Sequence, residues 1–264
     1  MHSLKSVLFF FILAAIIPAC APRVTVAPIS PDTPPDRVLE MVRAKDAGLE
    51  GLKALVNITV EEKGEGPKSF DGVLYVAKPD KVRLTGLSFM GFTVFDAVIR
   101  DDKFYFYQPD TGYMYTGERG RLSGFLKSLG VDADPELIYR ALMSAPSDGK
   151  DRYLLDRTEE GYSLYLVKDG GGALTPVMRS DYDPGLNLVG KAFYDELARP
   201  YMFAEHSGRA VQDGFELPVS IKATDTMNGY TVTVRFDKYI VNPEDIDKDF
   251  TIEGGELKGI RTVP

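Results

Sequence analysis

The side chains with the widest chemical range are scarce in this sequence: one cysteine, Cys20, and two histidines, His2 and His206. A Cys/His zinc site needs three or four such ligands, and a cysteine nucleophile needs a histidine base, so both are excluded by count. A Ser–His–Asp triad would need His206 and a nucleophile on a sharp turn, and no G-x-S-x-G occurs. His206 stands alone in a strand-like segment, Ala198 to Ser207, where a lone histidine is expected to be structural. Asp245, Asp247, Asp249 and Glu256 fall at offsets one, three, five and twelve of an EF-hand-like loop. Offset six, which requires glycine, is Phe250, and Pro243 precludes the entering helix, so the loop reads as an acidic turn before a last short strand, Phe250–Ile252. Gly170-Gly171-Gly172 leads into a strand at Pro176 rather than a helix, which makes it a hairpin turn and not a phosphate loop. Hydrolysis by a carboxylate pair is the weakest reading, because no pair can be placed together from sequence. No catalytic residue, metal site or cofactor is assigned, and binding is the function to explain.

Cys20 itself points to a modification. Lys5 precedes an unbroken apolar run from Val7 to Ile17, then Pro18-Ala19-Cys20. This is the layout of a secretory signal, too short to persist as a spanning helix. A small residue directly before a cysteine, with a branched aliphatic two positions earlier, resembles the bacterial lipobox, although Pro18 is an unusual middle residue. There the cysteine is acylated on sulfur and becomes the new N-terminus. Residues 1–19 are thus a lipoprotein signal peptide and Cys20 the lipid attachment site; the alternative is an ordinary secretory signal with an incidental cysteine. Each buried CH₂ contributes about 0.8 kcal/mol, so two or three acyl chains hold stably where one is marginal. Residues 20–35 carry Pro22, Pro28, Pro31, Pro34 and Pro35 with almost no charge, a semi-rigid tether. Stretched at about 3.3 Å per residue it reaches roughly 45–50 Å. The remainder would face the periplasm.

The elements that must position a binding surface follow from periodicity. Hydrophobic residues make up 44% of the chain, enough for a core, and with Cys20 lipidated no disulfide can form. The formal charge of -8, with no compensating basic cluster, argues against nucleic acid and against electrostatic adhesion to anionic lipid. Asp36 is a candidate N-cap for a helix to about Leu55, with Val38, Met41, Val42, Leu49 and Leu52 at helical spacing. The period then becomes two: Val56–Val60, Gly72–Val76, Val82–Thr85, Phe92–Arg100, Lys103–Gln108 and Gly112–Thr116 read as a meander. Two helices interrupt it, Gly120 to Leu129 and Asp134-Pro135 to about Ala145. Strands resume at Tyr153 and continue through Thr231–Ile240. The fold class is mainly β: an incomplete, unclosed antiparallel barrel of about 11–12 strands, with an N-terminal helix and a helical insertion covering the cavity. Phe104 to Tyr107 are aromatic at every position, so that strand is covered on both faces.

One hairpin breaks the pattern. Gly86-Leu87-Ser88-Phe89-Met90-Gly91-Phe92 joins two strands where polar turn residues are expected, yet it carries no charge. It either folds into the core or meets something apolar, and on a tethered protein the apolar partner in reach is the bilayer. Phe89 and Met90 are the candidate membrane-inserting residues.

These residues resemble the lipoprotein-sorting carrier superfamily with the LolA/LolB-like fold. Gly72-Val73-Leu74, Lys78-Pro79 and Val82-Arg83-Leu84 look like its early strand pair. Asp101-Asp102-Lys103, then Phe106-Tyr107 and Pro109, resemble the strand that follows. The order of lipobox, tether, helix, strands, apolar tip at Met90-Gly91, two helices and a late Glu216-Leu217-Pro218 strand is closest to the LolB-like receptor branch. The likeness covers about Asp36 to Val241, in short, degenerate motifs; residues 36–242 would be the lipid-binding domain and 243–264 an extension. It implies a monomer that takes the acyl chains of lipoproteins from a periplasmic carrier and delivers them into outer-membrane lipid. In that branch a leucine on the corresponding hairpin enters the membrane, and Met90 takes its place here. The tip lacks the usual proline and tryptophan is absent, which leaves open a carrier of a different lipid. Ala21 after the cysteine is not the aspartate associated with inner-membrane retention, which favours the outer membrane. A second class stays open at this point: a structural or sensory envelope lipoprotein that holds a protein partner on the same curved sheet.

Overall fold

The structure, a computed structural model, describes residues 33–129, 135–143, 152–169, 172–252 and 257–263. The signal peptide, Cys20, most of the tether, Asp134, Gly170, Gly171 and Glu256 lie outside them.

Helix α1 spans Pro35–Asp46, with Pro34 at the N-cap position and Pro35 at N1, where a missing N–H is tolerated. It ends well before Leu55, and Asp36 does not cap it. The apolar residues from Leu52 onward continue the helical count by coincidence; they alternate in and out as strand β1 (Gly51–Glu62). Gly51 opens β1 where the chain packs closely, since a Cβ there would lie 2.2 Å from Ile246 Cδ1 and 3.1 Å from the Val76 carbonyl.

Strands β2 (Lys68–Ala77), β3 (Lys81–Leu87), β4 (Thr93–Arg100), β5 (Lys103–Gln108) and β6 (Tyr113–Glu118) follow β1 as one antiparallel meander. A second meander comprises β7 (Arg152–Thr158), β8 (Gly161–Asp169), β9 (Leu174–Tyr182), β10 (Leu188–Tyr194), β11 (Pro200–Gln212), β12 (Phe215–Asp225) and β13 (Tyr230–Val241). The two are joined at their long central strands, where β1 pairs with β13 from Leu52↔Val241 to Glu62↔Tyr230. A short strand β14 (Gly259–Thr262) adds to β6 in parallel, giving a single open sheet of 14 strands rather than about 11–12.

That order decides where the helices go. β6 and β7 are consecutive in sequence but belong to opposite sides of the sheet, so the connection has to cross a face. It does so through helices α2 (Leu122–Ser128) and α3 (Pro135–Leu142). Leu122, Leu126, Ile138 and Ala141 of these helices are buried in one cluster with Ala54, Val56 and Ile58 of β1, Leu74 and Val76 of β2, Phe104 and Phe106 of β5, and Val232 and Val234 of β13. The helices thus fill the concavity of the open barrel.

The opposite face carries a smaller apolar cluster where the chain returns across it. A 3-10 turn at Ile246–Phe250 lies over β2, β3 and β4, with Phe250 buried against Ala77 and Val98 and beside Tyr75 and Tyr105. This accounts for the all-aromatic β5, since Phe104 and Phe106 face the main core and Tyr105 faces this strap. Beneath it Arg83 and Asp96 form a two-point ion pair at 2.6 and 2.9 Å. The final strand is therefore β14, and Phe250 to Ile252 form none, because Phe250 is used as an apolar plug. Asp245 pairs with Lys248 at 2.7 Å, and among the described residues no group of three carboxylate, His or Cys side chains could hold a metal.

Candidate functional site

The concave face has three regions. Over β4–β6 it is aromatic: Phe125 of α2 sits 5.4 Å from Phe104, 5.5 Å from Phe106 and 5.1 Å from Tyr115, ring centre to ring centre. Phe95 and Phe70 extend the stack, at 5.7 Å from Phe106 to Phe95 and 5.6 Å from Phe95 to Phe70.

The middle is filled by α3, whose last carbonyls point at the sheet. A helix C-terminus leaves such groups without intrahelical partners and favours positive charge. Lys191 of β10 supplies it: its Nζ donates to the Arg140 carbonyl at 2.7 Å and also to that of Met143. His206 of β11 meets the Ala141 carbonyl through Nε2 at 2.8 Å. Tyr139 donates its hydroxyl to the Pro79 carbonyl, and the Arg140 guanidinium lies 4.4 Å over the Phe193 ring. Lys191 is only 3% exposed, and burial, with Arg140 nearby, pushes its ammonium down to about 7. Burial likewise lowers His206 to about 4, so its ring is neutral at physiological pH while its Nε2 contact links β11 to α3.

Beyond the end of α3 a pocket of about 470 Å³ opens, within the size range of small-molecule sites. It lies between the end of α1, the β9–β10 turn and the closed end of the β11–β12 hairpin. Leu49, Leu52, Leu142, Met143 and Leu217 supply apolar walls. Arg43, Lys45, Lys78 and Arg209 supply positive charge, against Asp46 and Glu216.

The Phe89–Phe92 tip is elsewhere. β1 begins at the pocket end and runs away from it, so the β1–β2, β3–β4 and β12–β13 turns all point away from the pocket, with Leu87 at the foot of the tip facing Asp71 and so level with Asn57, midway along β1. The tip is a tight turn closed by Gly91 N–H to the Ser88 carbonyl and Ser88 N–H to the Phe92 carbonyl, both at 2.8 Å, with Gly91 at φ +80. Phe89 is 93% exposed, Phe92 67% and Met90 64%, so the segment does not fold back into the core.

No family profile and no curated protein matches this sequence. Solved structures do resemble it in three dimensions. An outer-membrane lipoprotein-sorting protein domain from Vibrio parahaemolyticus aligns with TM-score 0.58 at 13% identity, over 81% of this chain and 95% of that one. A LolA superfamily protein from Nitrosomonas europaea gives 0.56 at 11% identity, over 82% and 96%. A DUF1329 family protein from Desulfovibrio piger gives 0.60 at 11%, over 82% and 97%. The chain shares the fold of these three structures, one of them a LolA superfamily protein.

Within this LolA-like fold, the candidates read from sequence fall in separate places. Phe89 and Met90 are at one end, His206 is under the lid helix, and Cys20 lies outside the described residues. Lys191 was not singled out from sequence, because a lone lysine in a strand is usually solvated. Its parity was the available signal: it alternates with Phe193, which is in the main core. The pocket rim had no such signal, since Arg43, Lys45, Lys78 and Arg209 come from three elements distant in sequence.

Proposed function

We propose that this chain is an outer-membrane lipoprotein, anchored through Cys20 and facing the periplasm, that accepts acyl chains of lipoproteins from a periplasmic carrier and inserts them into the membrane. The observation that carries the proposal is the solvent-exposed, uncharged finger of Phe89, Met90 and Phe92 on a sheet whose concavity is apolar and lidded by helices. A large apolar finger on a periplasmic surface is costly in water and favourable in a bilayer interface. The apolar inner face hides acyl surface at about 25 cal/mol per Å², and the bilayer then hides it better. Because α3 fills the middle of the concavity, a cargo with several chains enters only as α3 lifts from Lys191 and His206. The names of the similar structures, a lipoprotein-sorting domain and a LolA superfamily protein, support the same direction. The test is to purify the unlipidated protein and look for a co-purifying acylated ligand that passes to liposomes. Ligand found and transferred is the expected result; a protein that neither holds nor takes up acylated molecules would refute the proposal.

The geometry adds a constraint on the tether. Arg157 of β7 donates to the Thr33 carbonyl, so the tether reaches the domain at the β7 edge of the sheet. The segment from Cys20 to Thr33 reaches about 43 Å fully stretched, and the proposal needs that reach for anchor and finger to share one membrane. Deleting five residues between Ala21 and Asp32 is expected to lower delivery to liposomes by about tenfold while leaving ligand uptake unchanged. Unaltered delivery would show that the finger and the anchor need not engage together.

A further inference from the structure

The charge around the pocket runs against the charge of the chain. The whole sequence carries -8, yet the pocket is lined by four cations and two carboxylates. The partners of Arg209, Lys45 and Lys78 show which of these three is left without a matching carboxylate. Arg209 is matched by Asp183 at 2.6 Å and by Glu216 at 3.6 Å. Lys45 reaches Glu216 only at 4.0 Å and otherwise donates to the Gly185 carbonyl at 3.0 Å and to Asn187. Lys78 donates to the Asp46 backbone carbonyl at 2.8 Å and has no carboxylate within ion-pair distance among the described residues. Burial holds Lys45 below the usual lysine range despite the pull of Glu216, Asp183 and Asp46, the condition in which a further anion is welcome.

The same pocket is lined by Leu49, Leu52, Leu142 and Leu217, all buried members of the main apolar cluster. A polar, cationic mouth over an apolar floor is the complement of an amphiphile, and the space suits one chain rather than several. We propose that this pocket binds a single acyl chain bearing an anionic head, carboxylate or phosphate, with the head between Lys45 and Lys78 and the chain on the leucine floor. This rests on the acyl-binding reading above and narrows it, because a neutral head would leave the surplus charge unmatched. Anionic heads gain charge-assisted hydrogen bonds at a partly desolvated site, where they are strongest.

The test uses the full chain with Cys20→Ala, so that no anchor competes for the site. Palmitate, palmitoyl lysophosphatidic acid and neutral monopalmitoylglycerol are titrated against it by displacement of a fluorescent fatty acid. Both anions are expected to bind about tenfold more tightly than the neutral lipid, a preference that shrinks as salt rises. A stronger phosphate arm points to a phospholipid-type ligand and a stronger carboxylate arm to a free fatty acid; each supports the proposal. In Lys45→Gln/Lys78→Gln the preference should collapse to about twofold with neutral-lipid binding retained, which also shows that the variant is folded. Equal binding of all three lipids overturns the anionic assignment but leaves acyl binding standing. A preference untouched by the double substitution overturns the placement of the head. Binding of none overturns this proposal and the pocket's part in the acyl-binding reading together.

Discussion

Lys191→Met is expected to abolish a rise in stability that the native protein shows between pH 7 and about pH 9.5. In the folded protein Lys191 is pushed down to about 7, whereas a free lysine titrates at 10.5. Above 10.5 the amine is neutral in both states and carries no penalty. As pH falls from there, the unfolded chain takes up the proton first, and the fold loses about 1.4 kcal/mol per pH unit until about pH 7, below which the penalty is constant. From pH 7 to about pH 9.5 the native protein should therefore gain about 3 kcal/mol. Methionine keeps the length of the stem and cannot charge, so denaturant unfolding of the variant should lack this increment. The same substitution leaves the Arg140 and Met143 carbonyls without their donor, at about 1–3 kcal/mol each if they stay buried. Faster amide exchange across Pro135–Leu142, with the central strands unchanged, is the accompanying sign that Lys191 holds the lid. Parallel pH profiles for the two proteins would refute the assignment.

Met90→Glu is expected to leave acyl-ligand binding intact and to reduce delivery to liposomes by at least about tenfold. Burying a methionine side chain gains roughly 1.5–3 kcal/mol, and a carboxylate in its place opposes insertion. The tip points away from the pocket and none of its residues lines it, so uptake and delivery should separate cleanly in this variant. Phe89 is the more exposed of the two and shares the role, so Phe89→Glu/Met90→Glu should lower delivery further. The fold has little stake in either side chain, because both already stand in solvent and the turn is held by backbone bonds and Gly91. Delivery at the native rate in the double variant would remove the insertion role.

Much of the architecture was legible because it rests on local periodicity. The alternation in Val56–Val60 or Val82–Thr85 comes from one buried face, and Pro135 at a helix start is a matter of backbone sterics. Errors fell where a segment's fate depends on distant partners. Leu49 and Leu52 fit the helical count of α1, but α1 ends at Asp46 and the chain enters β1 at Gly51, where the absence of a Cβ lets it pack on Ile246. Phe250 looked like the start of a strand, and it is a plug over Ala77 and Val98.

The division is a physical one. The sequence by itself determined what depends on residue type and near neighbours. That covers the mainly β character, the two inserted helices, the shortage of Cys and His that removes familiar catalytic centres, and the uncharged tip that has to be exposed or buried. Only the tertiary structure decided what depends on long-range pairing. The β1–β13 junction sends the β6–β7 link across the concavity, and α3 thereby meets Lys191 and His206 from strands more than forty residues away. The same pairing gathers Lys45, Lys78 and Arg209 around one pocket and leaves the Phe89–Met90 tip pointing away from it. A lysine's charge is inexpensive in water and costly under a helix, and no local pattern in the chain records which of the two it meets.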